Sequence, residues 1–116
     1  MREALSYSAS CVQSHGAFVD FSKESEDCLY LNAWVPNEKA KAKAAAGKYS
    51  AMIFFYGGSF KLGSAMFPLY NGEPAASLRR NTVVVACNYR LNVFGFLGGD
   101  ALRARDNSTG NFGIQG

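Results

Sequence analysis

At 116 residues the chain has the size of one domain, and its 48% hydrophobic content is typical of a globular protein with a core. The net charge of +3 is small, and much of the lysine lies between Lys39 and Lys48, so we expect no nucleic-acid binding. The apolar runs are far shorter than the ~20 residues of a membrane-spanning helix, and the first residues lack the apolar core of a signal peptide. These features predict a single globular domain without a membrane span.

The three cysteines differ in their surroundings. Cys87 lies within an apolar run and is predicted to be a buried free thiol. Cys11 and Cys28 flank a polar segment and could close a ring worth about 3 kcal/mol if oxidised, which requires an oxidising compartment. His15 is the only histidine and the sequence has no C-x-x-C, so we expect no metal site and no cofactor.

The first half of the chain predicts one strand between two irregular segments. Residues 1–28 are rich in serine and acidic side chains, with a short extended piece predicted at Ala17–Phe21. The β-forming run from Leu29 to Val35 predicts a strand that ends at Pro36. Residues 37–49, rich in lysine and alanine, form either a short solvated helix or a hairpin connection, and we interpret them as an exposed linker.

Two later runs are apolar at every position, which is typical of strands buried on both faces. They extend from Ala51 to Phe55 and from Thr82 to Cys87, and the distance between them along the sequence allows the crossover of a parallel pair. Short helices are predicted from Pro74 and near Ala101–Arg105. Two short helices cannot cover both faces of such a sheet. We therefore predict the front portion of a larger α/β domain, with apolar surface and strand edges exposed.

The remainder of the second half is interpreted as turns. Beyond Tyr89 the chain is punctuated by glycine and aromatic residues, and the segment from Asp106 to Gly113 has turn chemistry.

A glycine-rich turn, Tyr56–Gly63, follows the first of these strands. It has two interpretations: a tight turn that needs glycine for geometry alone, or backbone N–H groups directed at a developing negative charge. Ser59 in this turn sits in a near match to the G-x-S-x-G nucleophile motif, but Lys61 replaces the last glycine and no histidine follows. A phosphate-loop interpretation fails because Ser64 occupies the position of the motif lysine. The turn is therefore interpreted as a source of backbone donors.

Four segments, in order, resemble one protein family. They are SEDCLYLNAWVP from Ser25 to Pro36, IFFYGGSFKLGS from Ile53 to Ser64, VVVACNYRLNVFGFL from Val83 to Leu97, and GNFGIQ from Gly110 to Gln115. With an earlier CVQ element at Cys11, they resemble the N-terminal portion of the type-B carboxylesterase/cholinesterase family, which has the α/β-hydrolase fold. The resemblance implies that residues 1–116 are a partial carboxylesterase type-B domain. Its sheet would be the incomplete N-terminal part of an α/β-hydrolase sheet, mixed but mostly parallel in the full domain.

The resemblance also assigns roles to residues of the glycine turn. Gly58 and Ser59 stand where family members donate two oxyanion-hole N–H groups, and Gly57 shapes the turn. Tyr56 stands where many esterases have histidine and cholinesterases have tyrosine. Ser59 stands where glycine is usual, and its Cβ disfavours the positive φ that the turn requires.

Two further features suit the secretory pathway. Cys11 and Cys28 match a family disulfide. Asn107 begins the triplet Asn107-Ser108-Thr109, an acceptor sequence for N-glycosylation. The complete protein is therefore expected to be secreted, although this chain carries no signal peptide.

By resemblance, the complete protein is expected to be a serine carboxylic ester hydrolase acting on small-molecule esters. The nucleophile, acid and histidine of its triad have no counterparts here, so the chain alone is expected to be inactive. The alternative is a fragment of a cholinesterase-like adhesion or binding protein that keeps the fold without the triad. A self-contained small α/β module of unrelated function is disfavoured by the uncovered sheet.

Overall fold

The computed structural model describes residues 6–14, 23–36, 48–78 and 81–115. Within them the strands are β1 (Ser10–Cys11), β2 (Glu24–Ser25), β3 (Leu31–Trp34), β4 (Ser50–Phe55) and β5 (Thr82–Cys87). The helices are α1 (Glu73–Leu78), α2 (Asn92–Phe96), α3 (Asp100–Asp106) and α4 (Phe112–Gln115), with a 3₁₀ helix at Pro68–Tyr70. The two predicted helices are confirmed as α1 and α3.

The main sheet has three strands in the order β3-β5-β4. The central strand, β5, pairs antiparallel with β3 and parallel with β4. Val85 of β5 lies opposite Ala33 on one side and Ile53 on the other. The predicted parallel pairing is confirmed, and α1 lies on the crossover between its two strands and packs against β5.

Burial differs sharply between the two paired strands. In β5, fully buried residues alternate with half-buried ones, whereas every residue of β4 is exposed, including Phe55 at 66%. The prediction that both strands are buried on both faces is therefore wrong for β4 in this chain. The reason is that β4, one of the two edge strands of the sheet, has extensive contacts only with β5 among the described elements. The predicted exposure of apolar surface is confirmed.

The first predicted strand is shorter than expected. It runs from Leu31 to Trp34, two residues later at its start and one residue earlier at its end than the run of β-forming residues. Its leucine and alanine side chains point to the exposed face, and Asn32 and Trp34 lie on the half-buried one. The core below it groups four buried residues, Tyr56, Ala65, Ala86 and Leu91.

Two short helices replace segments that the sequence predicted as turns. In α2, a Cβ on Gly95 would lie 2.1 Å from the carbonyl oxygen of Arg90. In α4, a Cβ on Gly113 would lie 2.5 Å from the ring of Phe96. These glycines permit close packing of α2 and α4 and do not form turns, which is why the turn interpretation is wrong for these two helices. Between α3 and α4 it is confirmed, because Asn107, Gly110 and Asn111 have positive φ.

The N-terminal part contains a short parallel pair, β1 with β2, and a disulfide between Cys11 and Cys28. The prediction for Ala17–Phe21, the position of His15 and most of the predicted linker lie outside the described residues. Lys48 and Tyr49, at the linker's end, are exposed. None of the helices in the described ranges is long and apolar enough to cross a membrane.

Candidate functional site

The glycine turn begins where β4 ends and has an unusual backbone. Gly58 has φ 136°, Ser59 55°, Phe60 60° and Gly63 125°. The carbonyl oxygen of Gly58 accepts hydrogen bonds from the N–H groups of Lys61 at 3.0 Å and of Leu62 at 3.3 Å. Left-handed backbone at consecutive residues is uncommon outside glycine, and these two bonds hold the chain in that shape.

Ser59 adopts the left-handed conformation that its Cβ disfavours. At φ 55° it lies in the small region that non-glycine residues can occupy at a cost of about 1 kcal/mol or more. A serine at this position is therefore compatible with the turn. The surrounding hydrogen bonds offset the cost.

Two glycines of the turn are required by their surroundings and one is not. A Cβ on Gly58 would lie 1.9 Å from the carbonyl oxygen of Leu62. A Cβ on Gly63 would lie 2.5 Å from the ring of Tyr56. A Cβ on Gly57 would meet nothing within 4 Å. The close packing of Gly58 and Gly63 thus fixes the shape of the turn.

The successive N–H groups of Gly58 and Ser59 have no acceptor among the described residues. Gly58 is half-buried and Ser59 is exposed. Backbone donors that the fold leaves unpaired are satisfied by water or by a ligand. Adjacent backbone donors of this kind are the groups from which an oxyanion hole is built.

Tyr56 anchors the start of the turn through a reciprocal contact with Tyr89. The Tyr56 hydroxyl donates to the carbonyl oxygen of Tyr89 at 3.1 Å, and the Tyr89 hydroxyl donates to that of Tyr56 at 2.8 Å. Their rings stack with centroids 4.4 Å apart. Burial raises the pKa of the Tyr56 phenol well above its ordinary value, so this group stays protonated and donates hydrogen bonds.

Asn88 is a buried residue that the sequence did not single out. Its Nδ2 donates to the carbonyl oxygens of Ala9 and Cys28, both at 3.1 Å. Its Oδ1 accepts from the N–H of Ala65 at 2.9 Å. The only sequence signal was its place in the NYRL part of a resembling segment. Asn88 thus connects the N-terminal part, the end of β5 and the segment after the glycine turn.

The predicted site residues fall in three places. Gly57, Gly58 and Ser59 lie together in the glycine turn, and Cys11 and Cys28 are joined by the disulfide that the resemblance implies. Asn107 is exposed and ends α3 with φ 57°. Cys87, predicted to be buried, is a free thiol but only half-buried. No group of three or more metal-binding side chains is found in the described part of the chain.

The structure has a cavity of about 180 Å³ on the side of the N-terminal part. Its lining includes Tyr7, Ser10, Lys23 and Ser64, and none of the three predicted oxyanion-hole residues. The donors of Gly58 and Ser59 therefore do not line this cavity.

Comparison with known proteins places the chain in a family. Residues 1–115 match the carboxylesterase family. Over 97% of this chain, 41% of residues are identical to the neuroligin-like protein glit-1 of Caenorhabditis elegans. Identity is 35% over 98% of the chain to the cholinesterase of Mus musculus, and 37% over 90% to acetylcholinesterase 1 of Caenorhabditis elegans.

The chain belongs to the carboxylesterase family. That family has the α/β-hydrolase fold, so the predicted family and fold class are confirmed, and the mixed sheet with its helices is part of this fold. The chain spans 15% to 19% of the length of these three relatives.

Proposed function

We propose that this chain supplies the oxyanion-hole part of the active site of a serine carboxylic ester hydrolase. The observation that supports the proposal is the pair of N–H groups on Gly58 and Ser59, which no described residue accepts and which lie in a turn of fixed shape. Membership of a family that includes cholinesterases makes an ester carbonyl the fitting acceptor.

In the proposed mechanism, a serine from another part of the enzyme attacks the carbonyl carbon of a small-molecule ester. A histidine takes the serine proton, and the carbonyl oxygen becomes an oxyanion that accepts hydrogen bonds from Gly58 and Ser59. Removing one donor of this kind typically costs about 3 to 4 kcal/mol of transition-state stabilisation. Gly57 sets the direction in which the chain enters the turn.

Ser59 acts in this proposal through its N–H and not through its hydroxyl. A serine hydroxyl needs an adjacent base to become a nucleophile. No histidine follows Ser59 in the sequence, and His15 is the only histidine of the chain. We therefore propose that the 116 residues alone contain no reacting serine and are inactive.

The proposal also includes the domain organisation of the chain and the compartment of the complete protein. Residues 1–116 are proposed to be a partial carboxylesterase type-B domain, with residues 37–49 as an exposed linker. The disulfide between Cys11 and Cys28 favours an oxidising compartment, and the exposed side chain of Asn107 is accessible for N-glycosylation. We propose that the complete protein is secreted or enters the secretory pathway.

The alternative is a fragment of a non-catalytic, cholinesterase-like adhesion or binding protein. The observation that favours it is the 41% identity to a neuroligin-like protein. The glycine turn could then be retained for its geometry alone. The two functions differ in whether the flanking coding sequence contains a G-x-S-x-G motif and a later histidine.

The proposal is tested by hydrolysis of p-nitrophenyl acetate. The purified 116-residue chain is expected to give no hydrolysis above the buffer rate, because it has no activated nucleophile. The protein encoded by the complete reading frame is expected to hydrolyse the ester and to lose activity with a serine-directed phosphonate. Phosphonate-sensitive turnover by the 116 residues would contradict the first expectation, and a folded, inactive complete protein would favour the adhesion alternative.

A further inference from the structure

Gln13 makes two hydrogen bonds to the backbone of a single residue, the last glycine of the turn. Its Oε1 accepts from the N–H of Gly63 at 2.6 Å, and its Nε2 donates to the carbonyl oxygen of Gly63 at 3.0 Å. The same Nε2 donates its second hydrogen to the carbonyl oxygen of Cys11 at 3.0 Å. Gln13 is 6% exposed, and both ends of its amide are therefore paired inside the protein.

Gly63 needs such support because it ends the turn in a demanding conformation. Its φ is 125°, and the ring of Tyr56 and the carbonyl oxygen of Gly57 lie close to the position a Cβ would take. It belongs to no helix or strand, so no ladder of backbone hydrogen bonds fixes it. The side chain of Gln13 provides the pairing that a neighbouring strand would otherwise give.

The rest of the turn makes one longer hydrogen bond to the same N-terminal segment and one hydrogen bond to Asn92, the first residue of α2. The N–H of Ser14 donates to the carbonyl oxygen of Lys61 at 3.4 Å. The N–H of Asn92 donates to the carbonyl oxygen of Phe60 at 2.7 Å. Each of these bonds fixes one carbonyl, whereas Gln13 fixes the N–H and the carbonyl of one residue. Two bonds of opposite direction restrict the rotation of the backbone on both sides of Gly63.

A direct path leads from Gly63 to the proposed oxyanion donors. Leu62 precedes Gly63, and its N–H donates to the carbonyl oxygen of Gly58. The peptide group that contains this carbonyl also contains the N–H of Ser59. A change in the orientation of Gly63 therefore moves Leu62. Through the hydrogen bond between Leu62 and Gly58, it also moves the peptide group that carries the N–H of Ser59.

We infer that Gln13 is a positioning residue for the oxyanion hole, and that it fixes the glycine turn to the disulfide-bonded N-terminal segment. The inference rests on the proposed function of the turn. Gln13 does not contact substrate; it acts through Gly63. Displacement of a reacting group or donor by about 1 Å can lower a rate by about a hundredfold, so a turn freed at this end loses catalytic power.

The test compares Gln13→Met with Ser10→Ala. Methionine has a similar length without the amide, so all three hydrogen bonds of the Gln13 side chain are lost. Ser10 is also buried and donates to the hydroxyl of Ser64 at 2.7 Å, so its replacement removes a buried hydrogen bond from the same segment without touching the turn backbone. In the protein of the complete reading frame, Gln13→Met is expected to lower kcat at least tenfold with KM within about twofold. Ser10→Ala is expected to leave both constants within about twofold.

A second measurement separates this inference from the proposed function. In the protein of the complete reading frame, the amide of Gly63 is expected to exchange with solvent at least tenfold faster in Gln13→Met than in the wild type, and at an unchanged rate in Ser10→Ala. If the complete protein has no esterase activity, the proposed function fails, and the exchange rates alone decide whether Gln13 holds the turn. Unchanged Gly63 exchange, or an unchanged kcat in an active enzyme, overturns the inference. If Gln13→Met does not fold, Gln13→Asn, which keeps an amide one methylene too short, replaces it with the same expected results.

Discussion

Gly58→Ala is expected to destabilise the chain by more than about 3 kcal/mol, beyond the roughly 0.5 to 3 kcal/mol that most single substitutions cost. An added Cβ would lie 1.9 Å from the carbonyl oxygen of Leu62, which is backbone and cannot rotate away. The φ of Gly58, 136°, lies outside the region that alanine readily adopts. Both effects act against the hydrogen bonds that Lys61 and Leu62 donate to Gly58, so the turn must open.

Gly57→Ala is the matched control, because a Cβ there meets nothing within 4 Å and its φ is not in the left-handed region. Its effect on the free energy of unfolding is expected to stay within about 1 kcal/mol. Urea denaturation of the two variants beside the wild type measures the difference. Equal stabilities for Gly57→Ala and Gly58→Ala would show that the turn does not have the packing described.

Reduction of the Cys11–Cys28 disulfide is expected to lower the free energy of unfolding by about 3 kcal/mol. The two cysteines are 17 residues apart in sequence, and the bond limits the freedom of the unfolded chain over that loop. Both side chains are almost fully buried, at 2% and 1% exposure, so the reduced thiols have no solvent-exposed position in the folded state. The double variant Cys11→Ala with Cys28→Ala is expected to lose at least as much.

Cys87→Ala is the control for this experiment, since Cys87 is a free, half-buried thiol outside the disulfide. It is expected to change the unfolding free energy by about 1 kcal/mol or less and to leave the effect of reduction intact. Unfolding in urea with and without dithiothreitol gives both values. A midpoint that does not move on reduction would show that the N-terminal segment contributes little to the stability of the fold.

The local sequence pattern was sufficient to predict the strands and helices that form because of their own residues. The β-branched and aromatic runs of β4 and β5 predicted a parallel pair, and the residues after Pro74 predicted α1. The exposure of β4 followed from the lack of covering elements and not from its own residues. The helices α2 and α4 were missed because a glycine that permits close packing looks, in sequence, like a glycine that makes a turn.

The candidate site likewise has one feature that the local sequence predicts and others that it does not. The glycine turn was visible in the sequence, because a strand that ends in glycines is a local signal. Its attachments were not, because Gln13 and Gly63 are 50 residues apart and Tyr56 and Tyr89 are 33 apart. Hydrogen bonds between such distant residues follow from the fold, and no periodicity or spacing encodes them. The signal that could have indicated Gln13 was its place in the CVQ element beside Cys11.

The most direct test of the proposed role is a crystal structure of the complete protein after reaction with a serine-directed phosphonate. The phosphonyl oxygen stands for the oxyanion of the tetrahedral intermediate. It is expected to lie within about 3.2 Å of the backbone nitrogens of both Gly58 and Ser59, with the phosphorus bonded to a serine outside this chain. A phosphonyl oxygen bound by other donors, or a labelled Ser59, would contradict the account.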